Sequence, residues 1–421
     1  TQFTFESFSF TIVTMKKLSL LCISFFVFVL TLFPVPVYAS EKVDLNAGYA
    51  YVIDTTSKRV FYSKDGDKEI YPASMTKVVT CIVALEAIKD INETVTIDAS
   101  DLDGLVEANA SVAGFYEGEQ VTYKDLLYGS LLPSGADASN ALARLTYGDV
   151  KAFVGKMNEL CTKLGLENTH FVNPTGLHSN NHYTTCKEMA ELVKYAYLNK
   201  TFRDIYGTVE YTSTNGIHTW LNTLYTAALN NNLEYDFILG AKTGYTDLAL
   251  NCVASVITSN DHEIISILAY DEERVNLLVD LKSIQTYLDS KYITFDPESV
   301  VDQRRFKYHF DKIDIYRQKE KALYLPKDFD KELLKYEFDY TVDKTPIKKN
   351  AVVGTYIITY NDELIEKGNL IVKEKVERSM LLFILWNIIL PFAVILFILL
   401  CIRRYLIHLR RKRRKKRRRK G

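Results

Sequence analysis

The chain has 421 residues, 48% of them apolar, with 52 Lys and Arg against 52 Asp and Glu. That neutrality hides a segregation: residues 403–420 hold 13 basic side chains and no acid, which leaves 37 basic and 51 acidic residues in 40–402. So acidic a body lacks the phosphate-neutralising charge of a nucleic-acid-binding domain, the apolar content excludes a disordered or collagen-like chain, and the length suits two ordinary domains.

Residues 1–14 precede Met15, which we take as the start of translation, with 1–14 as translated upstream sequence. From Met15 the chain reads as a signal peptide over 15–39: Lys16 and Lys17, a long apolar run, then Val37 and Ala39 at the −3 and −1 positions of a cleavage site. The alternative is an uncleaved anchor. Cys22 lies in the middle of that run without the small residues that lipoprotein processing requires.

Residues 47–63 alternate apolar and polar positions around a Thr-Thr-Ser-Lys turn, which predicts a hairpin. After Pro72 an apolar run free of Gly and Pro predicts a buried helix. Residues 122–147 read as two short helices broken at Pro133-Ser134-Gly135, and further helices are expected over about 149–165 and 185–199, separated by a loop rich in Gly, Asn and Pro. From Asp236 three apolar segments read as strands, and a helix over about 272–290 closes the unit. Strands at both ends of a helical block indicate an α+β domain over 40–290, an antiparallel sheet flanked by helices with a helical subdomain. Residues 291–378 show short alternating segments between polar turns, as in a small all-β domain, which we read as a spacer.

Residues 380–402 contain no charge and, as a helix, span about 35 Å, so a transmembrane helix is expected over 379–403. The basic segment 404–421 then places the C-terminus in the cytoplasm and the body outside as a single-pass membrane protein, with anionic lipid as the partner of the tail. The remaining cysteines, Cys81, Cys161, Cys186, Cys252 and Cys401, form no C-x-x-C pair. Cys81 and Cys252 read as buried thiols, and Cys161 and Cys186 are open to pairing.

Three short motifs carry the chemistry. Ser74 and Lys77 stand three residues apart, hence on one helix face. A serine at a helix start has backbone N–H groups aimed where an oxyanion would form, and a lysine beside it takes the hydroxyl proton if its own charge is disfavoured. Alone, this is equally a helix start with a solvated lysine. Lys242-Thr243-Gly244, on an expected strand, offers a cation and a hydroxyl to a carboxylate, and its glycine admits close backbone approach. Ser134 projects from the helical break, where a helix cap is the plain alternative.

Their order, S-x-x-K, a serine at a helical break, then K-T-G on a late strand, resembles the serine-type D-Ala-D-Ala carboxypeptidases, the low-molecular-mass penicillin-binding proteins. YPASMTK, LLPSGADAS, HFVNPTGL and GAKTGYTD carry the resemblance, which covers about 45–275. It implies the penicillin-recognising serine enzyme fold, with Ser74 as nucleophile, Lys77 as general base and Ser134 as proton relay. It further implies that Lys242, Thr243 and Gly244 bind the terminal carboxylate, that the backbone N–H groups of Ser74 and Tyr245 form the oxyanion hole, and that the charge of Lys242 helps keep Lys77 neutral. No metal or other cofactor is implied. The substrate would be a peptidoglycan stem peptide ending in D-Ala-D-Ala, and β-lactams would be inhibitors.

Ala136 departs from the family's Ser-x-Asn motif, and Asn140, one turn on, is a candidate to supply the missing amide. A sensor or scaffold with little turnover and a β-lactamase share the fold, but no E-x-x-L-N stretch follows Ser134 to activate a deacylating water. A zinc peptidase would rely on His178 and His182, the only histidines at ligand-like spacing.

Overall fold

The computed structural model describes residues 43–56, 59–297, 300–319 and 322–418, the side chains of 413–418 excepted. The expected signal segment, the residues before it and Cys22 lie outside these.

The hairpin forms as β1 (Tyr49–Asp54) and β2 (Val60–Lys64). The run after Pro72 becomes α1 (Thr76–Ala87), entered through a tight single turn at Ala73–Met75. Every residue from Thr76 to Ala84 is buried, so packing outweighs the modest helix propensity of its β-branched residues. The broken helical segment is α2 (Tyr123–Leu131) and α3 (Ala136–Tyr147). Thr122 and Asp125 begin α2 with a reciprocal capping box. Ser134 sits in the break with φ +70°, a left-handed conformation that ends one helix and re-aims the next.

Next come α4 (Val150–Leu164), α5 (Cys186–Tyr197), α6 (Lys200–Tyr206) and α7 (Thr223–Asn230). The last two were not expected; at seven and eight residues they are too short to show an apolar period. The chain then returns to the sheet as β3 (Ile238–Thr246), β4 (Leu250–Ser259) and β5 (His262–Asp271), followed by α8 (Arg274–Lys291). The sheet order is β2-β1-β5-β4-β3, antiparallel throughout, with β1 paired to β5 from Tyr49 opposite Ala269 to Asp54 opposite Ile264.

Side-chain alternation along β5 divides the two layers. Ile265, Ile267 and Ala269 join the core shared with α1 and α5. Ile264 and Leu268 are buried outside that core, on the side where α8 packs. Cys161 and Cys186 are both buried free thiols, so the pairing left open from the sequence does not form. Burial pushes the Cys161 thiol up to about 12 and the Cys186 thiol higher still.

α8 runs directly into β6 (Tyr292–Phe295), followed by β7 (Val300–Arg305), β8 (Lys312–Arg317), β9 (Leu323–Pro326), β10 (Leu334–Tyr340), β11 (Val352–Tyr360) and β12 (Glu363–Ile371). β6 pairs with β9, and the other five form a sheet in the order β7-β8-β12-β11-β10 around Phe306, Ile315, Val353, Tyr356 and Leu370. This region is fastened to the first. The Ser259 and Tyr324 hydroxyls are 2.6 Å apart, the His262 ring stacks on Tyr324 at 4.6 Å, and Arg59 lies over the Tyr292 ring while reaching Glu363 at 3.5 Å.

Met380–Ile384, a wide turn at Leu385–Ile389 and Leu390–Arg418 continue as one helical run. Among the described residues this is the one helix long and apolar enough to cross a membrane.

Inside the β region, Arg317 donates to Glu366 at 2.5 Å with both side chains almost fully buried. Removing one partner strands the other charge in a low-dielectric setting, so Arg317→Ala is expected to lower stability by about 3–5 kcal/mol. Replacing both with apolar residues, Arg317→Met with Glu366→Leu, is expected to cost much less. Denaturant unfolding of the three proteins checks this, and equal losses in both variants contradict it.

Candidate active site

A cleft of about 800 Å³ opens where the start of α1, the α2–α3 break, the edge strand β3 and the loop around Thr175 converge. Ser74, Lys77, Ser134, Thr243, Gly244 and Tyr245 all line it, so the three sequence motifs, 170 residues apart at their extremes, meet in one place. Lys242 lies buried behind them on β3.

The helix periodicity brings Lys77 Nζ to 2.9 Å from Ser74 Oγ. The same amine donates to the carbonyl of Thr175 at 2.5 Å. Lys77 is only 2% exposed, and burial lowers its pKa to about 7, against the opposing pull of Asp137. A neutral amine has two N–H groups and one lone pair. With one N–H spent on Thr175, the lone pair is free to face the serine hydroxyl.

The Thr175 loop is held in turn by Asn173, whose side-chain oxygen accepts from the N–H groups of Thr175 and Gly176 and from the Thr175 hydroxyl. Gly176 has φ +81°, and a Cβ there would lie 1.9 Å from the carbonyl oxygen of Ala73. The loop therefore presses against the turn that carries Ser74. From the other side β3 does the same at Gly244, where a Cβ would lie 2.9 Å from the Ser74 nitrogen and 2.7 Å from Cys252 Sγ. Ala73 itself is held at φ +45°, an unusual strain for a residue with a Cβ.

Lys242 is 1% exposed and donates to the Thr243 carbonyl at 2.7 Å. Its pKa is pushed well below the lysine range by burial first, then by repulsion from Lys77 and Arg274. Burial is the leading cause at Lys77, and the repulsion between the two lysines is felt at Lys242. The Thr243 and Thr223 hydroxyls share a 2.5 Å hydrogen bond at the cleft wall. Ser134 is buried and its hydroxyl has no hydrogen-bond partner among the described residues.

Asn140 does not fill the Ala136 gap. Its amide donates to the carbonyl of Asp101 at 3.1 Å and the residue is absent from the cleft lining. Asn109 carries the one carboxamide that does line the cleft, and it has no side-chain hydrogen bond among the described residues. Its loop is tied to the gap itself. The Ala136 N–H donates to the Ser111 carbonyl at 2.8 Å, and the buried Asp137 carboxylate accepts from the N–H groups of Ala113, Gly114 and Phe115 at 2.7–3.1 Å.

Two further lining residues carried no signal in the sequence. Arg274 is the first residue of α8, and Thr223 opens α7; neither sits in a motif. His178 and His182 are differently employed. His178 lines the cleft with its ring edge-on to Tyr71, whereas His182 is buried, accepts from the Val172 N–H at Nδ1, and lies 2.7 Å from the Thr76 hydroxyl at Nε2. Burial first, then His170, His178 and Lys77, brings the His182 pKa down to about 4, so its ring is neutral.

Known proteins share this fold and its two-part layout. Residues 36–272 match the family described as D-alanyl-D-alanine carboxypeptidase, and residues 296–378 match the C-terminal domain of penicillin-binding protein 5. The chain is 30% identical over 352 residues to D-alanyl-D-alanine carboxypeptidase DacA of Escherichia coli, covering 80% of this chain and 85% of that protein. It is 29% identical over 350 residues to DacF of Bacillus subtilis, covering 79% and 87%. Among solved structures, a Streptomyces K15 DD-transpeptidase variant superposes with TM-score 0.54 at 31% identity over 58% of this chain and 98% of its own. Penicillin-binding protein 5 of Haemophilus influenzae shares the fold, with TM-score 0.61 at 24% identity over 80% of this chain and 98% of its own.

Gly176→Ala tests the close packing at the turn that carries Ser74. Strain at positive φ and the clash with the Ala73 carbonyl are expected to lower stability by about 1–3 kcal/mol or more. The check is thermal unfolding beside Gly155→Ala, where a Cβ meets open space. Equal melting temperatures would show that the turn is not held this way.

Proposed function

The chain belongs to the D-alanyl-D-alanine carboxypeptidase family, and on that premise we propose that Ser74 attacks the carbonyl between two terminal D-alanines of a peptidoglycan stem peptide. The observation that carries this reading is the 2.9 Å contact between Ser74 Oγ and a buried Lys77 amine whose pKa lies near neutrality.

Lys77 takes the hydroxyl proton as Oγ bonds to the carbonyl carbon. Backbone N–H groups of Ser74 and Tyr245 receive the oxyanion, and the approach allowed by Gly244 puts strand and serine within reach of one oxygen. The C–N bond breaks, Ser134 passes a proton to the departing D-alanine, and water later hydrolyses the ester to free the shortened peptide and Ser74. Lys242, Thr243 and Arg274 meet the terminal carboxylate; its arrival favours the Lys242 cation that burial otherwise suppresses. β-Lactams acylate the same serine. The C-terminal helix is the anchor, with the cleft outside the cell, the basic tail in the cytoplasm, and anionic lipid against that tail.

Asn109 supplies the amide that Ala136 lacks, hydrogen-bonding the substrate's peptide backbone from the cleft lining. This accounts for a free carboxamide on a loop fastened to the Ala136 and Asp137 backbone.

Ser74→Ala is expected to abolish covalent labelling by a fluorescent penicillin and D-alanine release, with the adduct of the unaltered protein mapped to Ser74 by mass spectrometry. The acylation rate at limiting penicillin is expected to fall about tenfold per pH unit below about 7, where Lys77 becomes protonated, and to level off above it. An adduct on another serine overturns the nucleophile, and a rate flat from about pH 5 to 9 overturns the base.

Asn109→Ala is expected to lower kcat/KM for a D-Ala-D-Ala peptide by about tenfold, the loss of one transition-state hydrogen bond, and Ala136→Asn in that background to restore part of it. An unchanged kcat/KM in Asn109→Ala removes the residue from the site.

A further inference from the structure

The β region does not merely lead into the apolar helix; one of its loops lies along the helix's first turns. Ser379 caps the helix and donates its N–H to the Tyr308 carbonyl at 2.8 Å. Tyr308, at φ +69°, donates its hydroxyl to Asn387 Oδ1 at 3.1 Å and sets its ring 5.2 Å from Phe383. The Arg378 guanidinium lies 4.8 Å from the Phe383 ring, and Lys307 Nζ lies 5.6 Å from the Trp386 ring. His309 Nδ1 donates to the Glu377 carbonyl at 3.0 Å. Next in the chain, Phe310 projects with 54% of its surface exposed.

Helix arithmetic then fixes a depth. Asn387 is eight residues past Ser379, roughly 12 Å along the axis. The uncharged run 380–402 is just long enough for a hydrocarbon core of about 30 Å, provided the core begins near its first residues. Were the core to begin only after Asn387, fifteen uncharged residues would remain before Arg403, about 22 Å, too short to span it. A loop hydrogen-bonded to Asn387 therefore reaches membrane depth. Its composition fits that place, because Tyr308, Phe310 and Trp386 with Lys307 and Arg378 are the amphipathic rings and long cations that favour the headgroup layer.

We infer that Lys307–Phe310 is a second membrane contact, seated in the lipid headgroup layer beside the helix, so that the β region rests on the bilayer rather than standing clear of it. This rests on reading the C-terminal helix as the anchor. The acidic neighbours Asp311 and Glu377 are both exposed, and Glu377 pairs with Lys375 at 2.5 Å, so the contact is made by the aromatic groups more than by net charge.

The test uses the full chain reconstituted in phosphatidylcholine vesicles in a Cys401→Ser background, the other described cysteines being buried. Phe310→Cys and Val106→Cys, the latter at an 88% exposed position on the first domain, each receive an environment-sensitive fluorophore. Penicillin labelling confirms that both remain folded. The label at 310 is expected to emit at shorter wavelength than that at 106 and to be quenched several-fold more by a headgroup-level spin-labelled lipid. Vesicle flotation with equal emission and quenching at the two sites overturns the inference while leaving the anchor intact. Failure to float with the vesicles overturns the anchor, and the inference with it.

Discussion

Burying the Lys77 amine is the constraint to which the rest of the cleft answers. A charged ammonium at that depth is costly, so the side chain moves toward its neutral form, and a neutral amine still needs partners for its N–H groups. The Thr175 carbonyl provides one, which obliges the loop at 173–176 to fold inward under the grip of Asn173. That loop reaches the Ser74 turn only because residue 176 has no side chain, and β3 closes from the far side only because residue 244 has none. The strained Ala73 is the product of this double approach: it is what remains when two backbones converge on one serine.

Much of this was legible in the sequence, for reasons that differ by residue. Helix periodicity alone places Lys77 over Ser74, and Pro133-Ser134-Gly135 announces its break through residues that end helices. The five-stranded sheet followed from strands at both ends of a helical block, because the first and last must pair if neither is to remain an open edge. What stayed hidden was carried by backbone or by position. Any residue type presents a carbonyl, so nothing about threonine marks residue 175 as the partner of Lys77. Arg274 enters the cleft because α8 happens to start there, and an arginine at a helix start has no signature.

The place of Asn140, a candidate from its spacing, is instructive in the same terms. Spacing of four puts it on the helix face of Ala136, but a face is broad, and the part that Asn140 occupies packs against Asp101 instead of the cleft. Spacing along one element tells which side chains are neighbours. It does not tell what they look at. Asn109, far away in sequence and in an irregular stretch, faces the cleft because three backbone N–H groups of the following segment converge on Asp137, a long-range clasp with no local trace.

Helix α8 has one end in each half of the protein. Arg274 at its start lines the cleft, and Lys291 at its end passes without a break into β6, where it also receives the Lys327 N–H. Eighteen residues of helix form a stiff rod of about 27 Å, and the Asp280 carboxylate braces its middle against the backbone of Asn46 and Ala47. In mechanical terms it is a braced strut. The place of Arg274 at the cleft wall and the place where the β region begins are therefore set by one rigid element.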